Sequence, residues 1–338
     1  MNPLEKNPSL DGLALAQAAL SSVSGDLEIL KQTIPELIPC ETEQSRRMVD
    51  YVFSASGKMI RPALYYLCCR LVGYLGPHRH LMAAVSEFVH TASLLHDDVV
   101  DASTLRRNRP TSHSIWGDSS AVLFGDLVYS RASELMTETG SLEIVSSFAR
   151  AIRLMSESEL VQLDSVFRYD LPEDTYFKIL YGKTAVLIGS SCKSAGLLAN
   201  CTSEQVKALD EFGVNIGIAF QLVDDALDFM GEPTLLGKKN FADLQGGKIT
   251  LPILLLKKYI SPSEDLALRS LYSQEGFSLS ELRFIQNMVG KYNTAEETMS
   301  RSHDLTRRSL DVLQTVFPPS QERTDLVNLA RGLCFRHF

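Results

Sequence analysis

Apolar positions along this chain recur with the spacing of a helix. Leu123, Leu127, Ser130, Ala132 and Leu135 follow one stripe, and Leu160, Leu163, Val166 and Phe167 another. Strand-like alternation bounded by turn dipeptides is absent. Proline is missing between Pro110 and Pro172, between Pro172 and Pro233, and between Pro262 and Pro318, so three long stretches are free to be helical. The pattern predicts helices over 10–34, 42–55, 61–73, 79–104, 118–138, 141–168, 173–199, 203–231, 250–259, 278–316 with a break near Gly290, and 319–336. Ser203 followed by Glu204, and the Pro172-Glu173-Asp174 entry, place helix starts where acidic groups meet the free N–H groups. The fold class is therefore all-α. One long irregular segment, 232–249, combines glycines, a proline and Lys238, Lys239 and Lys248, as functional or mobile loops do. No internal repeat interrupts the pattern.

Composition narrows the function. Of 338 residues, 45% are hydrophobic and 22% charged, enough apolar surface for a substantial core. Length alone allows one or two domains. The net charge of -8 argues against a nucleic-acid binder working through a broad basic face, so bound phosphates would need metals or a local basic pocket. No uncharged apolar run approaches the roughly 20 residues of a membrane span, and the start lacks a signal-peptide layout, which predicts a cytoplasmic protein. Cys40, Cys68, Cys69, Cys192, Cys201 and Cys334 have no metal-ligand spacing and read as reduced, mostly buried thiols.

The chemistry lies in two acidic clusters. In LLHDDVVDASTLRRNRPT, Asp97, Asp98 and Asp101 fall within one helical turn, with Asp97 and Asp101 about 5–6 Å apart on one face. Asp224, Asp225 and Asp228 repeat the arrangement in FQLVDDALDF. Three carboxylates repel one another unless cations sit among them, and hard oxygen donors at that spacing suit magnesium bridging to a substrate phosphate. A solvated acidic helix face explains many single DDxxD matches, but both copies here adjoin apolar residues such as Leu94, Leu95, Leu222 and Val223. Lys58, Arg61, Arg106, Arg107, Lys183 and the loop lysines supply cations able to hold two diphosphates, arginine through paired N–H groups and lysine as a point charge.

These blocks, GKMIRP (57–62), HTASLLHDDVVD (90–101), RRNRPT (106–111), GKTA (182–185), FQLVDDALD (220–228) and LGKKNFADLQGGKITLP (236–252), resemble the trans-isoprenyl diphosphate synthases, within them the long-chain octaprenyl diphosphate synthase type. The resemblance covers residues 10–338, a polyprenyl synthetase domain behind a flexible tail of 1–9. It implies a bundle of long helices around a central cavity, isopentenyl diphosphate and an allylic diphosphate as substrates, and a homodimer. It also implies three Mg2+ ions held by Asp97, Asp98, Asp101, Asp224, Asp225 and Asp228. Arg106, Lys183 and Lys238 match positions that hold the allylic diphosphate. Lys58, Arg61, His90 and Arg107 match those that hold isopentenyl diphosphate, and the oxygens of Thr184 and Gln221 match a pair near the developing carbocation. Such chemistry asks for preorganised positive charge around the leaving oxygens and modest negative dipoles near carbon, which these residue types provide.

The chain departs from the family pattern at Asn108, where a glycine usually follows the arginine pair, and at Phe241, Ala242 and Gly246 in the loop. Below Asp97, the residues Ser93, Ala92, Val89 and Val85 descend one side of the helix to about 18 Å. None is aromatic, whereas short-chain members close the pocket with aromatics at the positions of Ala92 and Ser93. Phe148, about 21 Å along the helix from Gln162, is the candidate floor of a deeper tunnel, although an ordinary core phenylalanine would look the same. The expected product has seven or eight isoprene units (C35–C40). The alternatives are a short-chain (C15–C20) synthase and a non-catalytic partner subunit, the latter disfavoured by two intact aspartate motifs; a terpene cyclase would lack the second. The sequence leaves open a transient membrane contact for product release.

Overall fold

A computed structural model describes residues 8–54, 57, 59–230, 241–274 and 276–335. Lys58 and Lys238 lie outside these residues. The first predicted helix is two, α1 (Pro8–Ser22) and α2 (Ser24–Leu37), interrupted at Val23. There follow α3 (Glu43–Ser54), α4 (Ile60–Leu71) and α5 (His78–Val100). Helix α5 ends four residues earlier than the periodicity predicts. The chain then forms an antiparallel pair, β1 (Leu105–Arg106) and β2 (Arg109–Pro110), with Arg106 opposite Arg109. Two residues per strand are too few to display alternation. Arg107 (φ 51°) and Asn108 (φ 60°) make the turn, and positive φ at both central residues is what a tight hairpin requires. Asparagine tolerates that conformation, so the departure at Asn108 preserves the turn.

Beyond the hairpin come α6 (Ser112–Trp116), α7 (Asp118–Glu138) and α8 (Leu142–Leu163). The helix expected over 173–199 is three pieces: α9 (Glu173–Leu180), a π turn over Tyr181–Ala185, and α10 (Val186–Leu198). Helix α11 (Ser203–Met230) is followed by α12 (Ala242–Gln245) and α13 (Leu251–Leu256). Helix α14 (Pro262–Tyr272) was not expected from periodicity, yet Ser261 and Glu264 form a capping box at its start, a signal present in the Ser-Pro-Ser-Glu run. The break between α15 (Leu279–Lys291) and α16 (Thr294–Val316) falls at Asn293 (φ 52°) rather than at Gly290, and α17 (Gln321–Cys334) closes the order.

Helix α11 is the axis. It packs on α10 along one side and α16 along the other, while α5 packs on α7, α4 and α10. Polar caps let α16 lie close: Ser302 Oγ donates to Ala219 O (2.8 Å) and Ser309 Oγ to Phe212 O (3.1 Å). One apolar cluster fills the space among α4, α5, α7, α8 and α10; a second joins Leu222, Val223 and Phe229 of α11 to α13, α14 and α15. Phe241, with φ 66°, is buried in the second cluster, anchoring the end of the loop. Of the six cysteines, Cys68, Cys69, Cys192 and Cys334 are buried. No described helix is long and apolar enough to cross a membrane.

Candidate active site

The acidic and basic residues meet where the two apolar clusters adjoin. Central to the site is the π turn, held between two backbones by glycines. A Cβ on Gly182 would lie 2.6 Å from Leu154 O on α8, and a Cβ on Gly217 of α11 would lie 2.6 Å from Ala185 Cα. Side chains cannot occupy either gap, so α8, the turn and α11 approach backbone to backbone. π turns inside helices often mark functional positions. Here the turn sends Lys183 toward α8, where its Nζ donates to Glu159 at 2.6 Å, and Thr184 toward α11, where its hydroxyl donates to Gln221 Oε1 at 3.4 Å.

Gln221 Nε2 in turn donates to Asp225 Oδ1 (3.0 Å), and the Tyr176 hydroxyl donates to the other oxygen, Oδ2 (2.5 Å). Burial and the neighbouring Asp243 push the Asp225 carboxyl up to about 7, against the pull of those two hydrogen bonds. Asp243 itself pairs with Lys248 (3.2 Å). Lys183, Gln221, Asp225, Tyr176, Asp243 and Lys248 line one cleft together with Gln162. Asp224 and Asp228 are half-buried on the same last turns of α11.

The first cluster crowns α5. Burial, Glu159 and Asp101 raise the Asp97 carboxyl to about 6, with Lys183 and Arg106 opposing. Asp98 is buried and accepts from Arg106 Nε at 2.8 Å, a bond that the hairpin makes by turning Arg106 back over the helix end. Asp101 is exposed, and its backbone N–H caps α5 on Asp97 O (2.8 Å). The fields of Asp101 and Glu159 also reach Lys248, which ties the two acidic clusters into one charged region.

A second cleft, about 860 Å³ including its mouth, opens on the other side of Arg106. His90, Arg106, Arg107 and Asp98 line it with Glu87 and Thr91. Burial and the charges of Arg61, Arg107 and Arg106 hold His90 well below the usual histidine range, so its imidazole is neutral. Burial raises the Glu87 carboxyl, and Arg61 and Arg107 oppose that rise. His96, by contrast, bonds to Val122 O (3.2 Å) on α7, and His113 to Ser103 O (2.8 Å), both structural contacts.

Val85, Val89 and Ala92 are buried on α5, and Phe148 with Ala151 and Met155 on α8; all six belong to the first apolar cluster, and both helices pack on α10. Ser93 is half-buried, its hydroxyl turned back to His90 O (2.9 Å). Sequence reasoning missed Glu159, Tyr176, Glu87 and Asp243, while Lys248 is among the candidate loop cations. Each missed residue is an ordinary charged or aromatic one until the fold brings it to a motif residue far away in the chain.

The residues fit a hard divalent cation. Carboxylates from two helices, strained by burial and mutual repulsion, face one region and offer only oxygen donors. Among the described residues, no three His, Cys, Asp or Glu side chains form a closed cage.

The polyprenyl synthetase family model matches residues 42–289, and the chain belongs to that family; it is a prenyltransferase. Among its relatives, octaprenyl diphosphate synthase from Escherichia coli is 35% identical over 305 residues, 90% of this chain and 94% of the relative. The crystal structure of a decaprenyl diphosphate synthase from Rhodobacter capsulatus superposes with a TM-score of 0.89 at 31% identity, covering 95% of this chain and 98% of that one. Heptaprenyl diphosphate synthase from Staphylococcus aureus gives 0.86 at 25% identity, covering 93% and 98%. These neighbours bear out the all-α isoprenoid synthase fold.

Proposed function

We propose that the protein is a trans-polyprenyl diphosphate synthase that adds isopentenyl diphosphate to an allylic diphosphate primer and releases a product of seven or eight isoprene units. The observation that carries this reading is the π turn, which points Lys183 into the field of the first acidic cluster and Thr184 onto the helix of the second. Arg106, Lys183 and Lys238 hold the allylic diphosphate, and Lys248 lines one cleft with Lys183. Lys58, Arg61, His90 and Arg107 hold isopentenyl diphosphate, where a neutral His90 donates one N–H without adding to the repulsion between guanidinium groups. Mg2+ held by Asp97, Asp98, Asp101, Asp224, Asp225 and Asp228 would supply charge neutralisation for the leaving diphosphate.

The carbon–oxygen bond of the primer breaks, and the electron pair leaves with the diphosphate held by the arginines and lysines. Oxygens of Thr184 and Gln221 face the electron-poor carbon. The alkene of isopentenyl diphosphate attacks it, forming the new carbon–carbon bond, and a proton leaves to the departed diphosphate. Preorganised donors at such a site need no reorientation as charge develops. The lengthening chain descends along Val85, Val89, Ala92 and Ser93 toward Phe148. The protein acts as a cytoplasmic homodimer.

Incubating the purified protein with Mg2+, farnesyl diphosphate and labelled isopentenyl diphosphate tests the reading: a product ladder ending near seven or eight units is expected. A ladder ending at three or four units would sink the tunnel, and no elongation would sink the enzyme. Phe148→Ala should extend the longest product by at least one unit; an unchanged ladder would return Phe148 to the ordinary core.

A further inference from the structure

Resting on that reading of Thr184 and Gln221, we propose that Tyr176 is a positioning residue for the condensation: through Asp225 it fixes which end of the Gln221 amide faces the reacting carbon. A glutamine amide carries a donor and an acceptor that can exchange places, and only its surroundings decide the orientation. The Gln221 amide nitrogen donates to Asp225 Oδ1 at 3.0 Å, so the nitrogen end of the amide faces the carboxyl. The amide oxygen is therefore presented on the opposite side, next to the Thr184 hydroxyl. That arrangement places two negative dipole ends side by side.

The carboxylate needs an anchor of its own, because rotation about its terminal bond would carry Oδ1 away from Gln221. Tyr176 provides it from α9. Its hydroxyl donates to Oδ2 at 2.5 Å. Tyr176 and Asp225 are both buried, 2% exposed, at the wall of the cleft. The sequence Tyr176, Asp225, Gln221, Thr184 thus runs as one chain of hydrogen bonds from α9 to the π turn. Tyr176 touches no reacting atom and acts only through Asp225.

Tyr176→Phe keeps the ring and removes the anchor. The expected result is a fall in kcat of about tenfold to a hundredfold, the usual cost of losing an outer supporting hydrogen bond. KM for both diphosphates should stay within about twofold. Calorimetry provides the readout that a packing defect would not give. With Mg2+ present in both cases, binding of an aza analogue of farnesyl diphosphate, whose protonated nitrogen mimics the carbocation, should weaken about tenfold, while binding of the uncharged-carbon thiolodiphosphate stays unchanged. In a Gln221→Leu background the same substitution should add nothing further. A wild-type kcat for Tyr176→Phe overturns the role, and so does an equal loss of affinity for both analogues. A wild-type protein that does not elongate at all removes the reading of the site instead, which distinguishes the two failures.

Discussion

Asp97→Asn is expected to lower elongation about a thousandfold and, without substrates or metal, to raise the melting temperature at pH 8. The loss follows from the proposed role of Asp97 as one of the hard anionic ligands that hold Mg2+ against the diphosphate charge. The gain in stability follows from the electrostatics of α5. Burial, Glu159 and Asp101 hold the Asp97 carboxyl at about 6, above its unfolded value near 4. The folded state therefore binds the proton more tightly than the unfolded chain. Stability falls as pH rises through the window from about 4 to about 6, and the full penalty is felt above it. With Lys183 and Arg106 already opposing, the penalty is on the order of 1–3 kcal/mol, or a few degrees of Tm for a chain of this size. Calorimetry at pH 8 and pH 4.5 checks the sign: the variant's advantage over the wild type should be clearly larger at the first than at the second. A variant melting below the wild type at pH 8 would show that Asp97 is favourably paired in the free protein.

Gly217→Val should be the most damaging single change outside the charged residues. The gap to Ala185 Cα is 2.6 Å for a Cβ alone, and the obstacle is backbone, which cannot swing aside as a side chain end can. Overpacking of that kind costs typically 1–3 kcal/mol, more where the backbone itself must move, so a fall in Tm of several degrees is expected. Activity should fall further than stability explains. Separating α11 from the π turn by even 1 Å displaces Thr184 and Lys183 from their partners, a misplacement worth about a hundredfold in rate. Gly290→Ala is the control: nothing lies within 4 Å of a Cβ there, and replacing a glycine inside α15 should raise stability by about 1 kcal/mol. A folded, fully active Gly217→Val would show that the two helices can part at no cost.

Much of this was legible in the chain. Two aspartate clusters at helical spacing, and the proline-free stretches that carry them, locate α5 and α11 to within a few residues. Less legible was anything set by backbone conformation. Nothing at Val23 signals the break between α1 and α2, and the π turn has the composition of the helices on either side. The hairpin that brings Arg106 to Asp98 uses two left-handed residues, one of them an arginine, which sequence does not favour there. Least legible were supporting residues, because Tyr176 lies 49 positions from Asp225 and Glu159 lies 24 from Lys183, and only packing of α8, α9 and α11 joins them. The capping box of α14 is the one local signal that sequence reading should have used.

Helix α8 carries Glu159 at one end and Phe148 toward the other, and a helix is a stiff rod. On the proposed assignment of Phe148 as the tunnel floor, head group and floor are therefore joined by a graduated rule. Only residues one turn apart face the same way, so a bulky residue can be moved along the stripe only in steps of about 5.4 Å. Relocating the floor from Phe148 to Ala151 or Met155 shortens the space in such increments and leaves the charged end untouched. Deleting one residue between them would instead rotate the floor away by about 100° and uncouple length from chemistry altogether.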